Sequence, residues 1–301
     1  MKKINIWMGG LFSPPTLRDI KIAYNTATYI SSIHKNSKIK LYMVPTNKYY
    51  NSPMTVCVSE KNRLRMLHLL IDYVKQNFHF SKNIEIVVSK IDIDYGKKYK
   101  TPTPSHESIK KLENTTPFYK IFNLDNVINI VNANWDNYTN FGFKQDVGFS
   151  INFLLSDYTI VIPTFSENSY SMSYKEKYDF IYKNIDLSKL LKNKINIPSV
   201  LKNKGAKEQK DIIMKHIIIL PDKYVPENLK SISSKKVIQE LDNYYNSLQK
   251  INELSSKKVT KYILKNNLYK NCYEHDRKKT KKRNSKSTPK HNKTIKRKKK
   301  Q

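Results

Sequence analysis

The chain has 301 residues, 39% of them hydrophobic and 27% charged, and carries a formal net charge of +31. That length allows one large domain or two small ones, each able to bury a proper core. No apolar run approaches the roughly 20 residues of a spanning helix, and the apolar part of "MKKINIWMGG" is too short for a signal peptide, so a soluble, intracellular, cytoplasmic protein with no membrane partner is expected.

The first strand is "INIWM" (4–8), which runs into the turn "GGLFSPP", and a helix begins near Thr16. A second strand, "IKLYMV" (39–44), precedes a helix that starts at Ser59 and Asn62 and carries Leu64, Leu67, His68 and Tyr73 near one stripe. "IEIVV" (84–88) comes next. The polar stretch 92–117 holds three of the twelve prolines and predicts a loop with a short helix near 105–112. The strands "VINIV" (127–131) and "YTIVI" (158–162) follow, then a Lys/Asn/Tyr/Ser-rich helical insertion or excursion over about 164–213, and a last strand, "HIIIL" (216–220). These runs are nearly continuous rather than alternating, as in a parallel sheet covered on both faces. Interleaved with helices, they predict an α/β fold over residues 1–270: a doubly wound, Rossmann-like parallel sheet flanked by helices.

Apolar periodicity stops at about Tyr273, and residues 271–301 read as a disordered Lys/Arg-rich tail. There, fourteen lysines and arginines stand against Glu274 and Asp276, a net +12, which leaves +19 on the body. Three readings of the tail stay open: a nuclear-localisation signal, a nonspecific polyanion-binding arm, and a solvated product of base composition. No aromatic follows Tyr273 to stack on bases, so sequence-specific nucleic-acid recognition is not expected. Cys57 and Cys272 are far apart and lack ligand spacing, which argues against a disulfide framework or a structural zinc site. His34, His68, His106 and His216 share no metal spacing either, and no metal ligands are assigned.

In a doubly wound sheet, ligands bind outside the carboxyl ends of the strands. Gly9 and Gly10 close the first strand there, and residues without Cβ let a phosphate approach the main chain. Pro14 and Pro15 stiffen the approach to the helix near Thr16, so the turn reads as an anion site. Ser233 and Ser234, after the last strand, read as helix-capping serines, and such a cap is also an anion site. Arg63 has two readings from the sequence, anchoring a neighbouring loop or meeting substrate, and Trp135 has two, stacking on a ring or packing in the core.

"GGLFSPPTLRDIKIA" resembles the GGxFxPxHxGHxxxA signature of the nucleotidyltransferases, and later segments resemble the nicotinamide/nicotinate mononucleotide adenylyltransferases in particular. "VPTNKYYNSPMTVCVSEKNRLRMLHLLI" is similar to that family's second-strand loop and its Arg-Leu-x-Met-Leu helix, here Arg63, Leu64, Met66 and Leu67. "SHESIKKL" (105–112) is similar to Thr-x-Asp-Thr-Leu-x-x-Leu, and "IVNANWDNYTNF" stands where the family has a Gly-Ala-Asp stretch, Asn132 and Asn134 replacing its glycine and aspartate. "SISSKKVI" (231–238) resembles Ile-Ser-Ser-Thr-x-Ile-Arg, and "LSSKKVTKYILKNNLYK" (254–270) the terminal Val-x-x-Tyr-Ile-x-x-x-x-Leu-Tyr. The matches run in family order from residue 4 to 270.

The resemblance implies adenylyl transfer in NAD synthesis, in which the phosphate of nicotinamide or nicotinate mononucleotide attacks the α-phosphate of ATP in line and pyrophosphate leaves. Positioning and charge neutralisation do the work, with Mg²⁺ accompanying ATP. It implies ATP contacts from Gly9, Gly10, Leu11, Phe12, Thr16, Ser233, Ser234 and Lys235, and acceptor contacts from Lys48, Arg63, Ser105 and Trp135. The family's HxGH element is here Thr16, Leu17, Arg18 and Asp19, so Arg18 and Asp19 occupy the catalytic positions. A carboxylate facing triphosphate is repulsive unless a metal bridges it, at about 4 kcal/mol for like charges about 4 Å apart and an effective dielectric of about 20. Arg18 supplies a replacement cation. Ile238 replaces the arginine that closes the Ser-Ser motif, while Lys235 and Lys236 stand one turn earlier. The alternatives are a catalytically impaired nucleotide-binding homologue acting as a binding or scaffold protein, and a related transferase using another phosphate acceptor.

Overall fold

The apolar β-branched runs form strands at the places their composition marks. A computed structural model describes residues 2–50, 57–101, 127–130, 159–162, 173–184, 201, 203–215, 217–225, 234–242 and 248–270. Among these residues six strands make one sheet: β1 (Lys2–Gly10), β2 (Ser37–Pro45), β3 (Ile84–Val88), β4 (Val127–Ile130), β5 (Thr159–Ile162) and β6 (Ile217–Ile219). Their spatial order is β3-β2-β1-β4-β5-β6, and every neighbouring pair is parallel. The chain therefore steps outward from β1 to β3, crosses back to the other side of β1, and steps outward again to β6. β1 and β2 share the longest register, from Lys2 opposite Ser37 to Gly10 opposite Pro45.

Helices α1 (Leu17–Ile33) and α2 (Glu60–Asn77) bring apolar stripes to this sheet. On α1 the buried face is Leu17, Ile20, Ala23, Ala27 and Ile30; on α2 it is Met66, Leu67, Leu70, Ile71 and Val74. Both recur every three or four residues, the spacing that keeps side chains on one side of a helix. Ser59 caps α2 by accepting the Asn62 N–H at 3.3 Å. These faces join Ile4, Ile6 and Met8 of β1 and Ile39, Leu41 and Met43 of β2 in one core. Each fully buried aliphatic contributes about 1.5–3 kcal/mol relative to exposure.

The polar stretch after β3 departs from expectation. Residues 91–99 form helix α3 (Ile91–Tyr99) where the sequence predicts loop from residue 92. Ile91, Ile93 and Tyr95 give it an inner face, while Asp92 and Asp94 in the first turn and Lys97 and Lys98 in the last suit the helix dipole. A nine-residue helix hidden in a polar, proline-flanked run leaves little periodic signal. The insertion expected over about 164–213 holds helices α4 (Tyr174–Asn184) and α5 (Ala206–Lys215). On α4 the buried Lys177 donates to Asp222 Oδ1 at 2.7 Å and ties the helix to the turn after β6. The last described segments are α6 (Ser234–Asp242), α7 (Leu248–Leu254) and α8 (Lys257–Lys265). The short helix expected near 105–112 and the tail 271–301 lie outside the described residues. Among the described residues no helix is long and apolar enough to cross a membrane.

Candidate functional site

The turn after β1 is built by residues from both ends of the chain. Phe12 adopts a positive φ of 44°, and its ring lies back over Gly10. A Cβ on Gly10 would meet Phe12 ring carbons at 3.1–3.4 Å, so this glycine is needed for the close approach of the ring as well as for any ligand. Ser13, Pro14, Pro15 and Thr16 are all buried. Prolines have no N–H to place, and here their carbonyls are the groups that are held. Ser234 Oγ, at the start of α6, donates to Pro14 O at 2.7 Å, and Ser255 Oγ, between α7 and α8, donates to Pro15 O at 2.9 Å. The Tyr269 hydroxyl and Ser13 Oγ share a hydrogen bond at 3.1 Å. Three hydroxyls from the last forty residues described thus fix three successive positions of the turn.

Arg63 holds the turn from the other side. It is 0% exposed; Nη1 donates to Leu11 O at 2.8 Å and Nη2 to Thr46 O at 2.7 Å, so one guanidinium joins the loops that leave β1 and β2. Its Nε has no hydrogen-bond partner, nor does Thr46 Oγ1. Burial pulls the guanidinium down from its usual range, against the charges of Glu60, Tyr269 and Asp92. Of the two readings the sequence leaves open, this geometry is that of a loop anchor.

Thr16 and Asp19 form a capping box on α1. The Thr16 N–H and hydroxyl both donate to Asp19 Oδ2, at 2.8 and 2.9 Å, and the Asp19 N–H donates to Thr16 Oγ1 at 3.3 Å. The carboxylate is thereby folded onto its own helix terminus, where the dipole favours negative charge. Burial nevertheless raises the Asp19 carboxyl above the ordinary aspartate range, outweighing the two Thr16 hydrogen bonds and the Arg18 charge, which lower it. A raised carboxyl pKa favours the protonated folded state. Its contribution to stability is complete below the unfolded-state pKa and is lost as pH rises through the folded-state value. Asp19→Asn keeps an acceptor for the Thr16 N–H and cannot ionise. Urea titrations of the two proteins between pH 3.5 and 7.5 should therefore show the variant gaining stability relative to wild type as pH rises. A constant difference over that range would show that Asp19 does not titrate there.

The remaining expected residues are distributed as follows. Gly9, exposed in β1, pairs with Val44. Leu11, Phe12, Thr16, Arg18 and Asp19 gather at the turn, and Ser234 reaches it from α6. The Ser234 hydroxyl gives its one hydrogen to Pro14 O, so a phosphate would meet its backbone N–H instead. Lys48 is exposed on a 3-10 turn, Lys48–Tyr50, after β2; its N–H donates to Glu60 Oε1 at 2.8 Å and its Nζ lies 5.2 Å from the Tyr49 ring centroid. Lys235 lies in the first turn of α6. Ser105, Trp135 and Ser233 lie outside the described residues. Sequence reasoning missed Ser13, Ser255 and Tyr269 as partners in the turn. Ser255 and Tyr269 do stand in the terminal stretch "LSSKKVTKYILKNNLYK", so its resemblance to a family ending was the available signal.

Among the described residues no group of three His, Cys, Asp or Glu side chains is placed to hold a metal ion. That suits magnesium brought by substrate phosphates, since Mg²⁺ takes only one or two protein carboxylates in such sites. No family model matches the chain, and no curated protein matches it.

Proposed function

We propose that this chain is a Rossmann-like, doubly wound nucleotidyltransferase that transfers the adenylyl group of ATP to nicotinamide or nicotinate mononucleotide. The observation that carries the reading is the position of the glycine–proline turn. It leaves β1, the strand at which the order β3-β2-β1-β4-β5-β6 reverses, and the start of α6 is hydrogen-bonded to it through Ser234. A crevice at such a reversal, with helix N-termini converging on it, suits a polyphosphate. In this reading the main chain of the turn and of the start of α6 contacts ATP, Arg18 neutralises charge on the phosphates, and Lys48 and Trp135 stand on the acceptor side. Mg²⁺, bound with ATP, would offset the transferring phosphates' charge, and Asp19, whose Oδ1 lies outside the capping box, is the nearest carboxylate to assist it. Purified protein given ATP, Mg²⁺ and either mononucleotide should release pyrophosphate; no release with either would overturn this reading.

A second reading is favoured by Asp19 itself. The carboxylate takes part in the Thr16 cap, at the position where the resembling family keeps a phosphate-holding histidine, so a protein that binds nucleotide without turning it over fits the same geometry. Isothermal titration separates the two readings: heat with ATP–Mg²⁺ but no pyrophosphate selects the binding protein.

The tail, in this proposal, is a nonspecific polyanion-binding arm. Tyr269, the residue bonded to Ser13, lies two positions before Asn271, where the tail begins. Neutralising several phosphates makes log affinity fall steeply with log salt. Full-length protein should hold an RNA or DNA oligonucleotide at low salt and release it near physiological salt, and protein ending at Lys270 should show a markedly shallower slope. Equal slopes would assign the affinity to the body.

A further inference from the structure

Asn47, at the mouth of β2, is completely buried, and its side chain is built into the protein on every polar atom. Its Nδ2 donates to Asp92 Oδ1 at 2.7 Å and to Asp92 O at 3.2 Å, and its Oδ1 accepts the Tyr49 N–H at 2.9 Å. Asp92, itself 4% exposed, comes from the first turn of α3. The helix lies so close that a Cβ on Gly96 would be 2.6 Å from Asn47 Cβ and Cγ. Glu60 completes the arrangement by accepting the Lys48 N–H. The 3-10 turn Lys48–Tyr50 is therefore fixed at two successive N–H groups, one through Asn47 and α3, the other through the start of α2. Two residues before Asn47, Pro45 pairs with Gly10, and the Thr46 N–H donates to Gly10 O at 2.9 Å, so any shift of this loop is a shift beside the glycine–proline turn.

We infer that Asn47, clamped by Asp92 and walled in by Gly96, is the positioning residue of the acceptor side of the crevice: it holds the Lys48 loop and thereby sets affinity for the mononucleotide rather than for ATP. The inference rests on the adenylyltransferase reading, which supplies the identity of the acceptor. Its physical basis is independent of that reading. A loop whose N–H groups are satisfied only by buried side chains moves when those side chains change, because no water can take their place. The ATP side is held by other groups, Arg63, Ser234, Ser255 and Tyr269, none of which is hydrogen-bonded to Asn47. Asn47 touches no reacting atom in this scheme and acts through Lys48.

The test uses the full chain and isothermal titration with ATP–Mg²⁺ and, separately, with nicotinamide and nicotinate mononucleotide. Asn47→Ala should weaken mononucleotide binding about tenfold or more, the scale of a lost buried hydrogen bond, and leave ATP affinity within about twofold. Gly96→Ala, which crowds Asn47 without deleting it, should shift the same ligand in the same direction. In the exchanged pair Asn47→Asp with Asp92→Asn, a carboxylate again accepts the Tyr49 N–H and faces an amide donor, so part of the mononucleotide affinity should return. A merely structural role would weaken both ligands in parallel, and that result, or unchanged affinity for both, would overturn the inference. Wild-type protein that binds ATP but neither mononucleotide would remove the acceptor assignment and leave the ATP site standing. Wild-type protein that binds none of the three would remove the functional reading itself.

Discussion

Arg63→Ala should lower the stability of the fold by about 3–5 kcal/mol, the scale of a buried charged hydrogen-bonding group removed from its partners. The substitution leaves Leu11 O and Thr46 O buried without their donors and opens a cavity beneath both loops. At about 2–4 °C per kcal/mol for a domain of this size, the melting temperature should fall by roughly 10 °C or more. Arg63→Lys keeps the charge but presents one ammonium instead of a fork, so it can reach one carbonyl well and should fall between wild type and alanine. The loss is reduced by whatever desolvation the buried guanidinium now suffers, and its unpartnered Nε marks that cost. Thermal and urea unfolding of the three proteins measures the series. A drop below about 1 kcal/mol for the alanine variant would show that the two carbonyls find other donors and that Arg63 is not the anchor of the turn.

Arg18→Ala should reduce pyrophosphate release by about 10²–10³-fold, the usual effect of removing one preorganised charge-stabilising donor. Arg18 is half-buried at the second position of α1, next to the capping box, and is the cation that chain order brings to the turn where the resembling family has a glycine. Because Asp19 is bonded to Thr16, the negative charge at this helix end is folded toward the cap. If Arg18 acts chiefly on the transition state, the loss should fall on kcat, with KM for ATP changed little. Arg18→Lys should recover part of the rate, since the charge remains and the bidentate geometry does not. Equal turnover in wild type and Arg18→Ala would move charge neutralisation to Lys235 or Lys236 in the first turn of α6.

The sequence by itself determined the strands and the local helix caps. Continuous runs such as "IKLYMV" and "IEIVV" have both the β-branched composition and the double-sided hydrophobicity of buried parallel strands, and the structure keeps Ile84–Val88 with the bounds the sequence marked. Thr16 with Asp19, and Ser59 with Asn62, are local signals too, because a cap is a bond between residues three apart. Helix α3 was legible only in part: Ile91, Ile93 and Tyr95 are too few, in too polar a run, to form a periodic stripe that outweighs nearby prolines. Of the site, the glycine–proline turn stood out, since backbone freedom and stiffness are properties of residue type.

Only the tertiary structure decided what holds that turn and what the polar residues around it do. The bonds from Ser234, Ser255 and Tyr269 to residues 13–15 cross separations of 220 to 256 positions, and no local pattern records a partner so far away. The same holds for Asn47 against Asp92, 45 positions apart, and for Arg63, which the sequence offers equally to substrate or to a loop until the fold surrounds it with two carbonyls and no solvent. A propensity or a cap is settled by neighbours in the chain. The environment of a buried polar group is settled by which elements pack against it, and desolvation then decides whether that group serves the ligand or the fold.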